Sequence, residues 1–266
     1  MIELYNEDCL KTINRLEDNS IDLILTSPPY NSSRKVKTQL EIKTHKSKYE
    51  EYSDNLPNEE YRKFITKVLN NLNRVLVKNG VILLNLSYAS SVEVDSRCSD
   101  LIKLLYEIVD KTPYDIADII TWKKKSALPN NRSSNKLTRI CEYIFVLCRK
   151  DEYMTFKTNK KLTSYIKEKN LAYYENIYNF VEAKNNDGNC PYNKATYSCE
   201  LCEKLLTIYA QPNSTIYDPF IGTGTTAVAC KKMNLNCLGS EISSNQIEFA
   251  KKRLNEAEET TIFDYI

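Results

Sequence analysis

Residues 215–241 read TIYDPFIGTGTTAVACKKMNLNCLGSE, and this stretch contains a strand, a tight turn, a helix and a second strand. The first strand ends at Asp218 and leads into a glycine turn. A helix is predicted over 225–234, and the second strand is predicted over 236–241. A short turn that connects a strand to a helix and then to another strand favours an open α/β sheet with mostly parallel strands.

The glycine turn has features of a ligand site. Two of the chain's five glycines, Gly222 and Gly224, lie in it. Glycine lets the backbone approach a ligand closely, and Glu241 stands at the end of the next strand, where nucleotide-binding α/β folds bind a ribose diol. No lysine follows Gly224, which argues against a triphosphate-binding loop. The spacing fits a nucleoside-like cofactor without a polyphosphate, although structural glycine turns without a ligand are also common.

The rest of the chain continues the alternation of strands and helices. The run IDLILTS (21–27) is continuously apolar, as expected for a strand buried on both faces of a parallel sheet. One long helix is predicted to begin after an N-cap at Asn58 and to end at Gly80. The other predicted strands cover 2–6, 81–87, 116–122 and 142–148, and the other predicted helices cover 9–18, 98–110, 199–210 and 243–257. We therefore expect one α/β domain over 1–266.

Two polar stretches interrupt this pattern. Residues 31–56 show no clear periodicity and are predicted to form a long, mobile loop. Residues 149–195 are rich in Lys, Asn and Tyr and are predicted to be less regular, with an insertion over 151–192. Five tyrosines in the insertion fit either a ligand-contacting surface or a small core: Tyr153, Tyr165, Tyr173, Tyr174 and Tyr178.

The segment TSPPY (26–30) lies at the end of the strand 21–27. Proline cannot continue a β ladder, so the strand must end at Pro28 and Pro29. At the carboxyl end of a parallel strand, the neighbours of this rigid pair face the crevice in which such sheets bind ligands. Taken alone, Pro-Pro-Tyr is also consistent with a rigid turn or with a proline-motif ligand.

SPPY (27–30) and DPFIGTG (218–224) together resemble the two signature motifs of DNA amino-methyltransferases, which modify adenine N6 or cytosine N4. Their order, with the catalytic motif first and the cofactor motif last, is that of the β group of this family. The resemblance implies a Rossmann-like methyltransferase fold with a target-recognition region inserted at 151–192. It covers most of the chain, since four other stretches are similar to family landmarks: GVILLNL (80–86), IITWKK (119–124), EYIFVLCRK (142–150) and TYSCELCEKLL (196–206).

The resemblance also implies S-adenosyl-L-methionine as the cofactor. In the family, the turn that corresponds to DPFIGTGTT holds the methionine part, and the acid that corresponds to Glu241 binds the ribose hydroxyls. Phe220 is implied to pack near the adenine, and Asp8 is similar to the family's acid beside the adenine. The implied cofactor-binding residues are Asp8, Asp218, Pro219, Phe220, Gly222, Gly224, Thr225 and Glu241.

The implied catalytic residues are Ser27, Pro28, Pro29 and Tyr30, and their chemistry suits an amino target. An exocyclic amino nitrogen is a poor nucleophile because its lone pair is delocalised into the ring. The Ser27 hydroxyl and the Pro28 carbonyl, whose direction proline presets, can accept hydrogen bonds from the NH2 group. Tyr30 offers a flat face for an extruded base. Cytosine C5 chemistry is disfavoured, since it needs a cysteine nucleophile and the family's Pro-Cys pair is absent.

Ser27 favours cytosine N4 as the target, because serine at this position is commoner among the family's cytosine enzymes and aspartate is the common adenine form. Adenine N6 stays an alternative, since exceptions to the serine rule are known. RNA or a protein amide is a further alternative substrate, although the motif for protein substrates is typically N-P-P-Y. A binding module that has lost catalysis is disfavoured by the intact motifs.

The net charge is only +2, so DNA binding must be argued from local clusters. Residues 34–48 contain six Lys or Arg and one acid, and residues 123–139 contain six and no acid. Both clusters suit phosphate contacts, although a basic run is as often a solvated face. The predicted contacts to double-stranded DNA are Arg34, Lys35, Lys123, Lys124, Lys125, Arg132, Lys136 and Arg139.

The cysteines and the N-terminus indicate an intracellular, cytoplasmic protein with reduced thiols. Nine scattered cysteines do not form a disulfide scaffold, and MIELYNEDCL lacks the basic flank of a secretory signal. No apolar run approaches the roughly 20 residues of a membrane span. Cys199 and Cys202 are interpreted as helical neighbours and not as half a zinc site, because His45 is the only histidine and no second pair exists. The resemblance also allows a transient homodimer and a cognate restriction endonuclease as partners.

Overall fold

A computed structural model describes residues 1–31, 56–87, 98–126, 134, 137–156, 158–188 and 196–257. Within these ranges the chain forms strands and α-helices that alternate over most of the sequence. The strands are β1 (Ile2–Tyr5), β2 (Ile21–Thr26), β3 (Leu76–Leu86), β4 (Tyr114–Lys124), β5 (Cys141–Arg149), β6 (Leu162–Ile166), β7 (Leu171–Tyr174), β8 (Phe180–Ala183), β9 (Thr215–Asp218) and β10 (Asn236–Ser240). The helices are α1 (Cys9–Arg15), α2 (Asn58–Val75), α3 (Cys98–Lys111), α4 (Cys199–Tyr209), α5 (Thr225–Lys232) and α6 (Ser244–Glu256).

The central sheet has eight strands in the order β1-β10-β9-β2-β3-β5-β4-β8. Only the pairs β3–β5 and β5–β4 are antiparallel, and the other neighbours are parallel. The mostly parallel α/β sheet predicted from the sequence is therefore confirmed. Because β5 runs against β3, its first residues lie at the same edge as the carboxyl ends of β1, β10, β9, β2 and β3. The last residues of β4 lie there too.

Helices cover both faces of this sheet, which explains the continuously apolar strands. On β2, Leu23 and Leu25 belong to the core on one face, where side chains from α4, α5 and α6 meet them. Ile21 and Ile24 belong to the core on the other face, with side chains from α1, α2 and α3. Each such buried aliphatic side chain stabilises the fold by about 1.5–3 kcal/mol relative to exposure. None of the helices in the described ranges is long and apolar enough to cross a membrane.

Both predicted ends of the long helix are wrong. Asn58 is the first residue of α2, and Pro57 occupies the cap position without a side-chain cap. At the other end, Leu76 pairs with Ile21 and starts β3 at once, so Gly80 lies inside a strand. A Cβ on Gly80 would come within 2.7 Å of the Leu76 side chain. The glycine is therefore used for close packing and does not end the helix.

The inserted region is more regular than its composition predicts. β6 and β7 pair as a separate antiparallel hairpin, and β8 joins the edge of the main sheet beside β4. The hairpin is mostly exposed, which is why it lacks the apolar alternation of a half-buried strand. The five tyrosines are also exposed and do not form a small core: Tyr153, Tyr165, Tyr173, Tyr174 and Tyr178.

Candidate active site

Asp218 is the centre of a buried hydrogen-bond network beneath the glycine turn. Its Oδ1 accepts from the Thr26 hydroxyl at 2.7 Å and from the Phe220 amide at 3.0 Å. Its Oδ2 accepts from the hydroxyls of Thr226 at 2.7 Å and Tyr197 at 3.1 Å. These four donors fill the acceptor positions of a carboxylate. Burial raises the pKa of Asp218 above its ordinary value, although the hydrogen bonds oppose this shift.

The glycine turn needs its glycines for backbone geometry and for helix packing. Gly222 and Gly224 have φ values of 52° and 82°, in the left-handed region that favours glycine. A Cβ on Gly224 would lie 2.7 Å from the Cβ of Ala250, so the residue also lets α5 approach α6. From α6, Arg253 donates to the Thr223 carbonyl and to the Thr225 hydroxyl, both at 2.9 Å. The predicted turn therefore lies in a rigid setting.

Two predicted acids lie beside this turn at the same edge of the sheet. Glu241 follows β10, and its carboxylate accepts from the Ser243 amide at 2.9 Å. Asp8 caps α1 by accepting from the Leu10 amide at 2.8 Å. Burial raises the pKa of the Cys9 thiol to about 12, and the carboxylates of Asp8 and Glu241 both add to this shift. The two acids therefore share one electrostatic neighbourhood.

The side chain of Asn6 holds the ends of β1 and β10 together. Its amide donates to the Glu241 carbonyl at 2.9 Å and to the Ile242 carbonyl at 3.0 Å. Phe220 is partly buried and packs edge-on against Phe64, with ring centroids 5.8 Å apart. Pro219, also in the motif, is buried.

The SPPY segment begins one residue after Thr26, so the Thr26–Asp218 hydrogen bond holds the two motifs side by side. Pro28 is buried, and Pro29 and Tyr30 are partly buried. The Ser27 hydroxyl donates to the Tyr30 hydroxyl at 2.8 Å, and the Tyr30 hydroxyl donates to Glu142 at 3.1 Å. Burial, together with the nearby Glu142 carboxylate, holds the pKa of Tyr30 well above its ordinary value, so the phenol keeps its proton.

This site includes three further residues, which the sequence interpretation did not assign to catalysis. Asn85, near the end of β3, donates to the Tyr30 hydroxyl at 2.7 Å and to Glu142 at 3.2 Å. Glu142, at the start of β5, also accepts from the ammonium group of Lys124 at the end of β4. An asparagine within the apolar run VILLNLS was a signal for Asn85. The position of Glu142 depends on the antiparallel pairing of β5, which the sequence did not reveal.

The base of the loop after SPPY is held by Asn31. This residue is fully buried, has a φ of 52°, and donates from its side-chain amide to the Leu56 carbonyl at 2.8 Å. The two ends of the predicted loop 31–56 therefore meet beside Tyr30. Residues 32–55 of that loop lie outside the described residues, as do Arg34 and Lys35.

Of the other predicted DNA contacts, four lie within the described residues and two lie outside them. Lys123 and Lys125 are partly exposed, and each pairs with a glutamate: Lys123 with Glu182 at 2.7 Å and Lys125 with Glu200 at 2.6 Å. Lys124 lies deeper, with its ammonium group on Glu142 and 5.0 Å from the ring centre of Trp122. Arg139 is exposed, whereas Arg132 and Lys136 lie outside the described residues.

Cys199 and Cys202 are both buried, one turn apart on α4. No group of three His, Cys, Asp or Glu residues in the described part of the chain is arranged to hold a metal ion. The cysteines in these ranges are free thiols.

Comparison with known sequences agrees with this geometry. The family model N6_N4_Mtase, described as DNA methylase, matches residues 21–252. The chain is 26% identical over 269 residues to the Type II methyltransferase M.MthZI of Methanothermobacter thermautotrophicus, covering 92% of this chain and 74% of the relative. It is 25% identical over 263 residues to the Type II methyltransferase M.HinfI of Haemophilus influenzae, covering 94% and 67%.

Comparison with solved structures supports the fold. The PvuII DNA methyltransferase (cytosine-N4-specific) aligns with a TM-score of 0.68 at 16% identity, covering 100% of this chain and 96% of that one. The M1.HpyAVI–SAM complex aligns with a TM-score of 0.60 at 21% identity, covering 96% and 100%. Because the family model spans most of the sequence, the chain belongs to the N6/N4 DNA methylase family and has the fold of S-adenosylmethionine-dependent DNA methyltransferases.

Proposed function

We propose that this DNA methylase is a site-specific enzyme that transfers the methyl group of S-adenosylmethionine to the exocyclic amino group of an extruded base, with cytosine N4 as the favoured target. The observation that carries the proposal is the hydrogen bond of 2.7 Å between Thr26 and Asp218. It fixes the residue before SPPY to the first residue of the glycine-turn motif, on the neighbouring strands β2 and β9. A methyl donor at the turn and an acceptor base at SPPY would then lie side by side.

The residues beside the turn fit S-adenosylmethionine. The carboxylate of Glu241 provides acceptors for a ribose diol, and Asp8 lies nearby for the adenine end. The left-handed backbone at Gly222 and Gly224 shapes the turn that would hold the methionine part. When bound, the cofactor supplies an electrophilic methyl group on a sulfonium. Asp218 acts on this site through the turn, because its own oxygens are occupied by protein donors.

The SPPY residues supply the acceptor side of the reaction. Ser27 donates its hydrogen inward to Tyr30 and accepts a long hydrogen bond of 3.4 Å from the Asn85 amide, so one lone pair of its oxygen is available to an N–H of the target. The Pro28 carbonyl is the proposed second acceptor, and the ring of Tyr30 is the surface on which the base stacks. Serine at position 27 supports cytosine, and adenine N6 is the alternative outcome.

Double-stranded DNA is the proposed partner. Its phosphates would contact Lys123, Lys125 and Arg139 at the edge where the site opens, together with the loop 31–56. The insertion 151–192, with its exposed tyrosines, would read the target within a single domain that spans the chain.

A transient homodimer is proposed from the family resemblance, and a cognate endonuclease is proposed because curated relatives are Type II methyltransferases. Light scattering that shows only monomer, with and without DNA, would reject the proposed dimer.

Transfer of a labelled methyl group to duplex DNA, single strands, RNA and protein tests the substrate class. Digestion of the methylated DNA to nucleosides, followed by mass spectrometry, then identifies the base. We expect label in duplex DNA and N4-methylcytosine in the digest. N6-methyladenine alone would reject the choice of base, and label only in RNA or protein would reject DNA as the substrate.

Tyr30→Ala tests the site itself. Stacking contributes about 1–3 kcal/mol per base, so turnover should fall by about 5- to 150-fold while cofactor affinity is retained. Tyr106→Ala, at an exposed tyrosine of α3, is the matched control and should behave like the unaltered protein. Near-normal turnover of Tyr30→Ala on duplex DNA would show that Tyr30 is only a turn residue.

A further inference from the structure

The hydrogen bonds around Tyr30 have only one consistent direction. The Asn85 amide nitrogen lies 2.7 Å from the Tyr30 hydroxyl and 3.2 Å from a Glu142 oxygen. An ionised carboxylate only accepts, so it selects the NH2 end of Asn85 and would repel the amide oxygen. Because the Asn85 NH2 group only donates, Tyr30 accepts from Asn85. The Tyr30 oxygen also lies 3.1 Å from a Glu142 oxygen, and two oxygens at that distance repel unless a hydrogen lies between them, so Tyr30 gives its own hydrogen to Glu142.

This direction propagates to Ser27. Tyr30 has one hydrogen and two lone pairs; one lone pair receives Asn85, and the hydrogen is used on Glu142. The remaining lone pair can only accept, so the contact of 2.8 Å requires Ser27 to donate. The Ser27 hydrogen is thereby held inward. A serine free to rotate could instead turn its hydrogen toward the target amino group, which is itself a donor.

We propose that Glu142 is a positioning residue for methyl transfer: it orients the Tyr30 and Ser27 hydroxyls so that Ser27 presents an acceptor to the target amino group. This inference rests on the proposed function. Glu142 is only 8% exposed, and the ammonium group of Lys124 on its other oxygen offsets the cost of burying the charge. Lys124, predicted from the sequence as a DNA contact, would therefore act within the protein.

A purely structural role for Glu142 is the competing explanation. The Lys124–Glu142 pair links β4 to β5, but these strands are already joined by a ladder from Tyr114 to Lys123, with one register shift between Ile116 and Asp118. Sheet pairing therefore does not depend on the ion pair. The two explanations differ in what they predict when the shape of Glu142 is kept and only its hydrogen-bonding direction is changed.

Glu142→Gln makes this change. Lys124 attracts the amide oxygen, so the new NH2 group faces Tyr30 and Asn85. The acceptor-only group that fixed the direction of the chain is then gone, and the Ser27 hydrogen is no longer held inward. We expect kcat to fall by about 10- to 100-fold, in the range that follows from losing one aimed hydrogen-bonding group. The KM for DNA and the affinity for S-adenosylmethionine should change by less than about 3-fold, because neither the DNA contacts nor the glycine turn is altered.

A second variant separates positioning from stability. In a Tyr30→Phe background the chain is already broken, so adding Glu142→Gln should lower kcat by no more than about 3-fold. Glu152→Gln is the matched control, since Glu152 is 6% exposed and pairs with Arg149 at the opposite end of β5. It should lower thermal stability without lowering kcat. An additive loss in the double variant, or an equal loss of kcat in Glu152→Gln, would overturn the proposal.

A measurement that does not depend on methyl transfer keeps the test of Glu142 separate from the test of the proposed function. The carboxylate of Glu142 helps to raise the pKa of Tyr30. In protein labelled with 13C at tyrosine Cζ, the Tyr30 resonance, assigned with Tyr30→Phe, should titrate at lower pH in Glu142→Gln. An unchanged titration would overturn the contact on which the proposal rests. Failure of the proposed function would instead appear as no methyl transfer by the unaltered protein.

Discussion

Asp218 and Glu142 are both buried carboxylates at the same edge of one sheet, and their surroundings differ in kind. The donors to Asp218 are all neutral. They are the hydroxyls of Thr26, Tyr197 and Thr226 and the backbone amide of Phe220. Glu142 is neutralised by the ammonium group of Lys124 and connects, through Tyr30, to the hydroxyl of Ser27.

The difference shows how one kind of side chain can do two jobs. A carboxylate enclosed by neutral donors fixes the backbone around it, because removing any donor leaves a buried polar group without a partner. A carboxylate paired with a cation on one side still has an oxygen to orient a neighbour on the other side. Asp218 therefore fixes the glycine turn on the proposed cofactor side of the edge, whereas Glu142 is proposed to set the direction of hydrogen bonds on the proposed catalytic side.

Asp218→Asn should give the largest effect. One of the two oxygens becomes an NH2 group, which cannot accept from the donors that it faces, so we expect the free energy of unfolding to fall by about 2–4 kcal/mol. Urea denaturation measures this loss. Asp22→Asn is the control, since Asp22 is exposed on β2 and accepts from the Thr215 amide at 2.7 Å. If Asp218→Asn lowers the free energy of unfolding by no more than the control does, the structural role that distinguishes Asp218 from Glu142 is wrong.

Glu241→Ala should act on the cofactor and leave the fold intact. Removing the acceptors for a ribose diol costs about 1–3 kcal/mol, so the Kd for S-adenosylmethionine should rise by about 5- to 150-fold. The Asn6 contact is to the backbone carbonyl of Glu241 and survives the change. Calorimetry measures the affinity, with Glu3→Ala on the exposed side of β1 as the control. Unchanged affinity in Glu241→Ala would reject the assignment of this residue.

Lys123→Gln should weaken DNA binding to about the same degree for all sequences. If this lysine contacts one phosphate, the slope of log K against log salt should become less steep by about 0.9. Its pairing with Glu182 is partly exposed, and such surface pairs are weak enough for a phosphate to replace them. Lys78→Gln, at the opposite edge of the sheet, should leave the slope unchanged. Identical slopes for both variants would mean that Lys123 contacts no phosphate.

Glu200→Gln should give the smallest effect, on acid stability. Burial opposes ionisation of Glu200, but hydrogen bonds from Lys125, the Lys184 amide and Lys204 outweigh it and lower its pKa to about 2. A carboxyl with a lowered pKa in the folded state stabilises the protein above its unfolded pKa, and this contribution is lost as the pH falls toward 2.

The variant should therefore be less stable at neutral pH by about 1 kcal/mol, after allowance for solvent screening, and this difference should shrink between about pH 4.5 and pH 2. Denaturation at several pH values measures it. Glu248→Gln, at an exposed position on α6, is the control. A difference for Glu200→Gln that stays constant with pH would contradict the assigned contacts.

Local rules predicted much of this molecule because they act over a few residues. Apolar runs marked β2 and β3, a proline pair ended β2, and paired glycines marked the turn before α5. The same rules misplaced both ends of α2, because the pairing of Leu76 with Ile21 takes priority over glycine as a helix terminator. They also missed β6, β7 and β8, whose exposed or edge positions leave no clear apolar alternation.

The sequence by itself determined the parallel α/β core, the glycine turn and the SPPY segment, since each depends on neighbours in the chain. Only the tertiary structure decided which distant groups meet these segments. It brought the Glu142 carboxylate into hydrogen-bonding contact with the Tyr30 hydroxyl, 112 positions away along the chain, and the Thr26 hydroxyl into contact with Asp218, 192 positions away. It also paired Lys124 with Glu142 at the site. Strand order and direction determine these contacts, and they depend on the packing of the whole sheet, not on any short stretch of residues.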